Sequence, residues 1–447
     1  MACAAPVTKE STSMTSRYNE GVNDLNWSKR QDKAISSGRA LNDTKEISGM
    51  LYEAIAKGNE KWQLPISSVC GADCVFCCLK YNPMDMNLKS GFRDLEDIKQ
   101  AICLLDGKQT IQLGGESNGV VRQEGEALLH PKIFEIMRLI RSMHPETPIW
   151  IQTNATQLTE KFLQKMTEFM PIDFQISYHS NNQHNWCKIF GIKAKKFLIA
   201  QNAWPLLYQY GFTAQPSLVT MPNLVGYDDV ENTIKYLSQF VSVICVWSPH
   251  YTNATPPYES FRHEMSYDAG EMSEFMTKMR SKYNIDIDWP LDPNKPINTG
   301  GYHSEFMPAT IMEKLFQQGK KNPLWLFSEA AWIRGAGKLI EESQPFFANQ
   351  HTAVFVKNTT YGGTITCAGL LMVDDYDKAI EKTFEEHPQL KYKVDSLVIP
   401  GLPFNKFGED MLGKRYSALQ EKYDIPINVV MMEQDEGHQI KNFDRFY

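Results

Sequence analysis

The chain has 447 residues, enough for two or three domains or for one large barrel with an additional unit. Its 42% hydrophobic and 22% charged residues are ordinary for a globular protein, which excludes the disordered and low-complexity classes. The formal net charge of −7 argues against a nucleic-acid-binding protein, and no apolar run approaches the ~18 residues of a membrane span. We therefore expect neither a nucleic acid nor a membrane as a partner.

Residues 1–60 read as a polar N-terminal extension that contains one helix, predicted over residues 45–62. The first 20 residues lack the basic and apolar regions of a secretion signal. Nine cysteines in the whole chain are too few for a disulfide scaffold. We expect a cytoplasmic protein.

From residue 61 to residue 287 the patterning alternates between strands and helices. Strands are predicted at 64–68, 109–113, 148–153, 174–178, 213–220 and 241–247, separated by helices that include 159–170, 228–240 and 269–283. Such alternation predicts parallel strands with right-handed crossovers, either in a partial barrel or in a doubly wound sheet. Ligands bind at the carboxyl ends of the strands in both architectures.

Residues 288–447 are predicted to form a separate C-terminal α/β domain. Its predicted strands are 353–356, 364–371, 397–399 and 427–430, with helices between them.

Three cysteines form the strongest chemical signal in the sequence. Cys70, Cys74 and Cys77 follow the first predicted strand in the spacing C-x-x-x-C-x-x-C. A four-iron, four-sulfur cluster usually takes four cysteine ligands, so three thiolates on one loop would leave one iron open to an exchangeable ligand. Structural zinc prefers four ligands in paired units, and the other cysteines are scattered, so zinc is the weaker alternative. Cys78 is expected to pack away from the metal.

This loop, with Phe76 just before the last cysteine, resembles that of the radical S-adenosylmethionine (radical SAM) superfamily. The resemblance covers residues 62–284, about half of the chain. It implies a partial (β/α)6 barrel, one [4Fe-4S] cluster, S-adenosylmethionine as cofactor and an electron donor such as flavodoxin or ferredoxin. It further implies that S-adenosylmethionine is cleaved to a 5′-deoxyadenosyl radical, which abstracts hydrogen from the substrate.

A second motif resembles the same superfamily. The second predicted strand ends in Gly114-Gly115-Glu116, and a Gly-Gly-Glu at this place implies a close approach of the cofactor and a carboxylate for its methionyl ammonium. In the superfamily, a further segment usually follows Gly-Gly-Glu directly. In this chain an insertion separates the two, and the segment after the insertion carries a second Gly-Glu pair, Gly125-Glu126. We favour Glu116 because it directly ends the strand, with Glu126 as the competing candidate.

Weaker similarities follow in the order that the superfamily has them. Thr153 ends the third strand, and Ser177 lies on the fourth, where the resemblance implies contacts with the cofactor. Both could equally serve barrel packing. Candidate substrate contacts at or beyond strand ends are Tyr178, His179, Trp247 and His250, although packing is the more frequent role of such residues.

The expected reaction is hydrogen abstraction from a small metabolite in a biosynthetic pathway. Only Cys367 lies beyond Cys245, too few cysteines for an auxiliary cluster, and the residues before Cys70 are too few for a cobalamin or leader-peptide module. Two alternatives remain: modification of a peptide or protein, and a non-enzymatic Fe–S or zinc module that acts as scaffold or electron carrier. Residues 358–371 and 397–400 faintly resemble a C-terminal domain of some uncharacterised superfamily members, which does not identify a substrate.

Overall fold

The computed structural model describes most of the chain beyond residue 63. The described residues are 64–77 without 65 and 68, 91–114 without 106, 108 and 109, 125–249, 252–253, 268–289, 315–343 without 316 and 334, 352–401 without 367, 403–404, 408–433 without 411, and 437–441. The predicted helix over 45–62 lies outside them, as do Gly115, Glu116 and His250.

The first unit is built on a sheet of six strands that pair in chain order. They are β1 (Ile111–Leu113), β2 (Ile149–Thr153), β3 (Ile172–Ser177), β4 (Thr213–Val219), β5 (Val243–Trp247) and β6 (Asp286–Asp288). Every pair is parallel. The prediction of an α/β fold with a six-stranded parallel sheet is confirmed, and strands in sequential order are those of a partial barrel rather than of a doubly wound sheet.

The six strands are not the six that the sequence predicts. The structure assigns no strand to the described residues of 64–68, although the Leu64 amide donates a hydrogen bond to the Gln112 carbonyl (3.0 Å) and this segment therefore lies beside β1. The sixth strand is instead β6, which the sequence analysis missed.

Helices connect these strands. They are α1 (Leu95–Leu104), α2 (Ile133–Met143), α3 (Glu160–Met166), α4 (Gln183–Phe190), α5 (Lys195–Gln209), α6 (Pro222–Val225), α7 (Tyr227–Leu237) and α8 (Ala269–Tyr283). The ends of α8 show how sequence sets such boundaries. The Asp268 carboxylate accepts the Glu271 amide (2.9 Å) at the N-cap, and Asn284 ends the helix in the left-handed conformation.

The two faces of the first sheet differ in polarity. In β3, Ile172, Phe174 and Ile176 are buried, whereas Asp173, Gln175 and Ser177 are half-buried. The buried face joins the main apolar core beneath the helices. The half-buried face, called the inner face below, carries the polar residues. This alternation confirms the two-faced pattern expected from the sequence of this strand.

The second unit contains a five-stranded sheet in the order β11-β10-β9-β7-β8, parallel except for β11. The strands are β7 (Pro323–Ser328), β8 (Thr352–Val356), β9 (Ser396–Pro400), β10 (Ile427–Glu433) and β11 (Gly437–Lys441). Its helices are α9 (Glu329–Ile333), α10 (Ala336–Ser343), α11 (Val373–Glu386) and α12 (Ser417–Tyr423). The domain boundaries at residues 60, 287 and 288 stay predictions.

One predicted strand of this unit is wrong. The described residues of 364–371 form a turn and a short 3-10 helix, Ala368–Leu370, because their polar groups bond elsewhere. The Thr364 hydroxyl donates to the Pro249 carbonyl (3.2 Å), and the Leu371 amide closes a turn on Ala368 (2.9 Å). Of the helices within the described ranges, none has the length and apolar character needed to cross a membrane.

Candidate functional site

The cysteine loop is fixed to the end of helix α4. The Asp73 amide donates to the Phe190 carbonyl (2.8 Å), and the Val75 amide donates to the Ile189 carbonyl (3.0 Å). These two acceptors belong to the last turn of α4, where carbonyls have no partner within the helix. The loop therefore satisfies the helix end, and the helix end gives the loop its shape.

Gly191 makes this contact possible. It ends α4 in the left-handed conformation, with φ of 62°. A Cβ atom at this position would lie 2.7 Å from the Asp73 Cβ and 2.9 Å from the Asp73 carbonyl oxygen. Only glycine lets the cysteine loop approach this closely.

The three thiols influence one another electrostatically. Burial raises the pKa of Cys74, and the neighbouring Cys77 and Cys70 raise it further. Desolvation of its thiol raises the pKa of Cys70 to about 11, although the residue as a whole is exposed. The raised pKa values of Cys70 and Cys74 mean that these two thiols hold their protons at neutral pH, so a metal ion must displace those protons on binding.

The donor chemistry of the loop fits an iron–sulfur cluster. Three soft sulfur ligands lie on one tight loop, and the free cysteines Cys103, Cys187 and Cys245 belong to other elements. Within the described part of the chain, no three His, Cys, Asp or Glu side chains already form a metal-binding group. The loop would therefore have to draw its thiolates together around the cluster.

Glu126 is buried beside the cysteine loop. Its amide donates to the Val69 carbonyl (2.9 Å), and its carboxylate accepts hydrogen bonds from the Thr153 hydroxyl and the Asn154 amide, both at 2.7 Å. Burial raises the pKa of this carboxyl to about 7, although both hydrogen bonds lower it. The carboxylate also acts on Cys70, whose pKa it helps to raise.

Thr153 therefore has a defined role. It donates to Glu126 while its own oxygen accepts the Ala155 amide (3.1 Å), so the hydroxyl is fully oriented. Gly114 has a φ of 75°, and a Cβ there would lie 2.9 Å from the Gln152 carbonyl oxygen, so the backbone of β2 requires glycine at this position, and its predicted contact with a cofactor stays a prediction. Gly115 and Glu116 lie outside the described residues, so their assignment stays a prediction.

Phe76 contacts an aromatic side chain from the end of β3. Its ring packs edge-on against His179 at 4.9 Å between centroids, and His179 stacks on Phe190 at 4.8 Å. The Val219 amide donates to Nδ1 of His179 (3.0 Å), so the neutral ring carries its proton on Nε2. Burial lowers the pKa of His179 to about 3, which keeps the ring neutral at physiological pH.

Ser177 lies on the inner face in a row of polar residues. Parallel pairing places Ser177 beside Ser217, Ser217 beside Cys245, and Cys245 beside Asp288. Two residues earlier along the strands, Gln175 of β3 lies between Gln152 of β2 and Gln215 of β4 on the same face. Side chains on neighbouring parallel strands at one level point to the same face. The inner face thus offers hydrogen-bonding groups at the carboxyl end of the sheet.

Two predicted substrate contacts have different environments. The Tyr178 ring is fully buried on the outer face, packs against Trp204 and Tyr236, and donates its hydroxyl to Asn181 (2.8 Å). This contact pattern is packing. Trp247 is half-buried and ends β5 next to Val219 on the inner face.

The segment beginning at Gly125 lies next to the cysteine loop, a contact that the sequence did not predict. Gly125 and Glu126 donate their amides to Ser67 and Val69, which brings residues that are distant in sequence next to the cysteines. A signal was present, since the segment follows the second strand and repeats the Gly-Glu pair.

Comparison with known proteins gives matches only among solved structures. SuiB of Streptococcus suis bound to S-adenosylmethionine is 13% identical, covers 51% of this chain and 49% of its own, and has a TM-score of 0.37. anSMEcpe with bound AdoMet and Cp18Cys peptide is 16% identical, covers 52% of this chain and 64% of its own, and has a TM-score of 0.38. A radical SAM methyltransferase from Sphaerobacter thermophilus is 12% identical, covers 51% of this chain and 64% of its own, and has a TM-score of 0.35. The chain spans about half to two thirds of these structures. No protein-family model matches it, and no curated protein is similar.

Proposed function

We propose that the protein is a radical SAM enzyme that binds one [4Fe-4S] cluster through Cys70, Cys74 and Cys77. The observation that carries the proposal is the buried Glu126 carboxylate, which hydrogen bonds hold beside a loop of three thiols. Burial penalises the negative charge of this carboxylate, and a ligand with an ammonium group would supply the positive partner that it lacks.

When bound, the cluster supplies the electron that cleaves S-adenosylmethionine to methionine and a 5′-deoxyadenosyl radical, which takes hydrogen from the substrate. The protein residues bind and orient the cofactor. Between the two competing carboxylates we favour Glu126 as the acceptor for the methionyl ammonium, because Thr153 and Asn154 hold it in place. Phe76, Gly114 and Ser177 are the further proposed contacts, and Gly115 and Glu116 complete the motif that the sequence suggests.

The polar inner face is suited to a small polar substrate. Its serine and glutamine side chains can bond neutral or polar groups, and water exclusion there would protect a carbon radical. A small metabolite is therefore our first candidate substrate. We further propose flavodoxin or ferredoxin as the electron donor and the cytoplasm as the location.

The test is anaerobic reconstitution followed by incubation with S-adenosylmethionine and dithionite. We expect 5′-deoxyadenosine and methionine in equal amounts, formed slowly without substrate. The triple variant Cys70→Ala, Cys74→Ala, Cys77→Ala is the matched negative control. Cluster-replete protein that forms no 5′-deoxyadenosine would refute the proposal and favour a scaffold or electron carrier. Acceleration by peptide libraries, but not by metabolite extracts, would move the substrate class to peptides.

A further inference from the structure

The loop after β5 lies at the carboxyl end of the first sheet. β5 ends at Trp247, whose carbonyl accepts the Thr220 amide (3.1 Å). The loop continues through Pro249 to Thr252 and Asn253, and Thr252 is fully buried. In parallel α/β folds, the loops at this end form the walls of the ligand site.

Three hydrogen bonds join this loop to the second unit. The Asn253 amide donates to the Tyr361 carbonyl (2.7 Å), and the Gly363 amide donates to Oδ1 of Asn253 (3.1 Å). The Thr364 hydroxyl donates to the Pro249 carbonyl (3.2 Å). The partners are about 110 residues apart in sequence, so this is a tertiary contact between the two sheets.

The contacting loop of the second unit, residues 358–365, follows the carboxyl end of β8 and is held rigidly. One carboxylate oxygen of the buried Asp375 accepts the amides and hydroxyls of both Thr359 and Thr360, at 2.6 to 3.1 Å. The Asn358 side chain accepts the Tyr361 amide (2.8 Å) and donates to the Leu370 carbonyl (2.7 Å). The hydrogen bonds that shape this loop therefore come from its own unit.

Gly362 is the point of closest approach. Its φ is 62°, and a Cβ there would lie 1.9 Å from Nδ2 and 2.2 Å from Cγ of Asn253. A side chain at residue 362 would have to displace Asn253, and with it the bond to Gly363. The two loops fit only while residue 362 is glycine.

We propose that the 358–365 loop is a positioning element of the barrel's ligand site. It holds the wall to which residues 247–249, Thr252 and Asn253 belong, and it covers the β5 side of the barrel mouth. The carboxyl ends of both parallel sheets meet at this contact, where ligands of such sheets bind. The catalytic importance of this loop rests on the proposed function, because a radical enzyme needs a ligand site that excludes water.

Cys245 provides a reporter within the protein. It lies on the inner face two residues before Trp247, and only 6% of it is exposed. Alkylation by iodoacetamide, followed by mass spectrometry of the Cys245 peptide, measures access through the mouth without any cofactor. Iodoacetamide should alkylate Cys245 about tenfold faster in each of the full-length variants Gly362→Ala and Asn253→Ala. Tenfold corresponds to a loss of ~1.4 kcal/mol in the free energy that keeps the two loops in contact.

Gly413→Ala is the matched control, because Gly413 lies in the same unit with φ of 78° and no atom within 4 Å of its added Cβ. It should label at the wild-type rate. Hydrogen exchange should rise in residues 247–253 and 358–366 of the test variants, while β7 and β9 stay protected. The proposal is overturned if Cys245 labels at the wild-type rate in both test variants, or if exchange in the two loops is unchanged.

These measurements need neither S-adenosylmethionine nor a reductant. If the wild type formed no 5′-deoxyadenosine, the proposed function would fail while the labelling would still decide the role of the loop. If instead the wild type cleaved S-adenosylmethionine but Cys245 labelling were unchanged in both variants, the role of the loop would be refuted and the proposed function would stand.

Discussion

The two sheets use their faces differently. In the second sheet, β7 and β9 are buried at every residue, and neighbours in β7 serve opposite cores: Leu326 faces one, and Trp325 and Phe327 face the other. In β3 of the first sheet, one face is apolar and buried, whereas the inner face is polar and half-buried. A parallel sheet covered by helices on both sides normally has apolar residues throughout. The first sheet departs from this rule on the face that carries the proposed site.

The difference indicates how the two units divide their roles. The interior strands β7 and β9 bury both of their faces, so we expect any part that the second unit has in function to come from its loops, such as residues 358–365. The inner face of β3, by contrast, carries half-buried polar side chains that remain accessible to a ligand.

The largest expected effect is on the cluster. Reconstituted wild-type protein should hold about four irons per chain, the content of one four-iron cluster. The triple alanine variant of Cys70, Cys74 and Cys77 should hold none, as measured by iron analysis and visible absorbance. Cys103→Ala, at an exposed residue of α1, is the control and should keep the full content. Iron retained by the triple variant would show that other residues bind the metal.

The comparison of the sheets can be tested by unfolding. Leu326→Ala removes a fully buried side chain of β7 and should lower the free energy of unfolding by about 2–5 kcal/mol. Gln175→Ala, on the half-buried inner face of β3, should change it by no more than about 0.5 kcal/mol. Urea denaturation followed by circular dichroism measures both. Equal losses would mean that the inner face is a core rather than a ligand surface.

Glu126 should make cofactor binding depend on pH. Its pKa is raised by burial from 4.5 to about 7, so the carboxyl is mostly neutral at pH 6 and mostly charged at pH 8. Because an ammonium group binds the charged form, S-adenosylmethionine affinity should fall about tenfold per pH unit below the pKa. Glu126→Gln should weaken binding by ~1.5–3 kcal/mol and flatten this profile.

Calorimetric titration of Glu126→Gln and Glu116→Gln side by side decides between the two carboxylates. If the Glu116 variant loses the affinity and the Glu126 variant keeps both affinity and pH dependence, the ammonium contact belongs to Glu116.

The smallest expected effect concerns the attachment of the cysteine loop. Gly191→Ala and Gly211→Ala both place alanine in a left-handed conformation, which should cost about 1 kcal/mol of stability each. Only Gly191 meets Asp73, whereas no atom lies within 4 Å of an added Cβ at Gly211. Iron retention after gel filtration should therefore fall in Gly191→Ala alone. A loss of iron in both variants would point to general destabilisation.

The sequence predicts the alternation of the first unit well, since amphipathic helices and alternating strands such as β3 have clear periods. It missed β6 because three residues with two aspartates carry no strand signal and owe their conformation to pairing with β5. It missed β7 because a short apolar run is ambiguous between strand and helix. The strand predicted over 364–371 is wrong because Thr364 bonds to Pro249, a partner that periodicity cannot reveal.

For the candidate site, local sequence gives the cysteine spacing but not its supports. The attachment of the loop to Ile189 and Phe190, and the pairing of Glu126 with Val69, join segments separated by more than 50 residues. Such contacts follow from the packing of whole elements, so the cysteine and Gly-Gly-Glu motifs do not reveal them.

The order of synthesis gives the contact between the two units a consequence in time. Asn253 leaves the ribosome about 110 residues before its partner Gly363. At ordinary translation rates that interval is about 5–20 s. Throughout it, the nascent barrel has its cysteine loop but not the loop that later seats on residues 247–253. During that interval Asn253 and Pro249 still lack their partners from the second unit, so the hydrogen bonds between the two loops can form only after residues 358–365 have been synthesised.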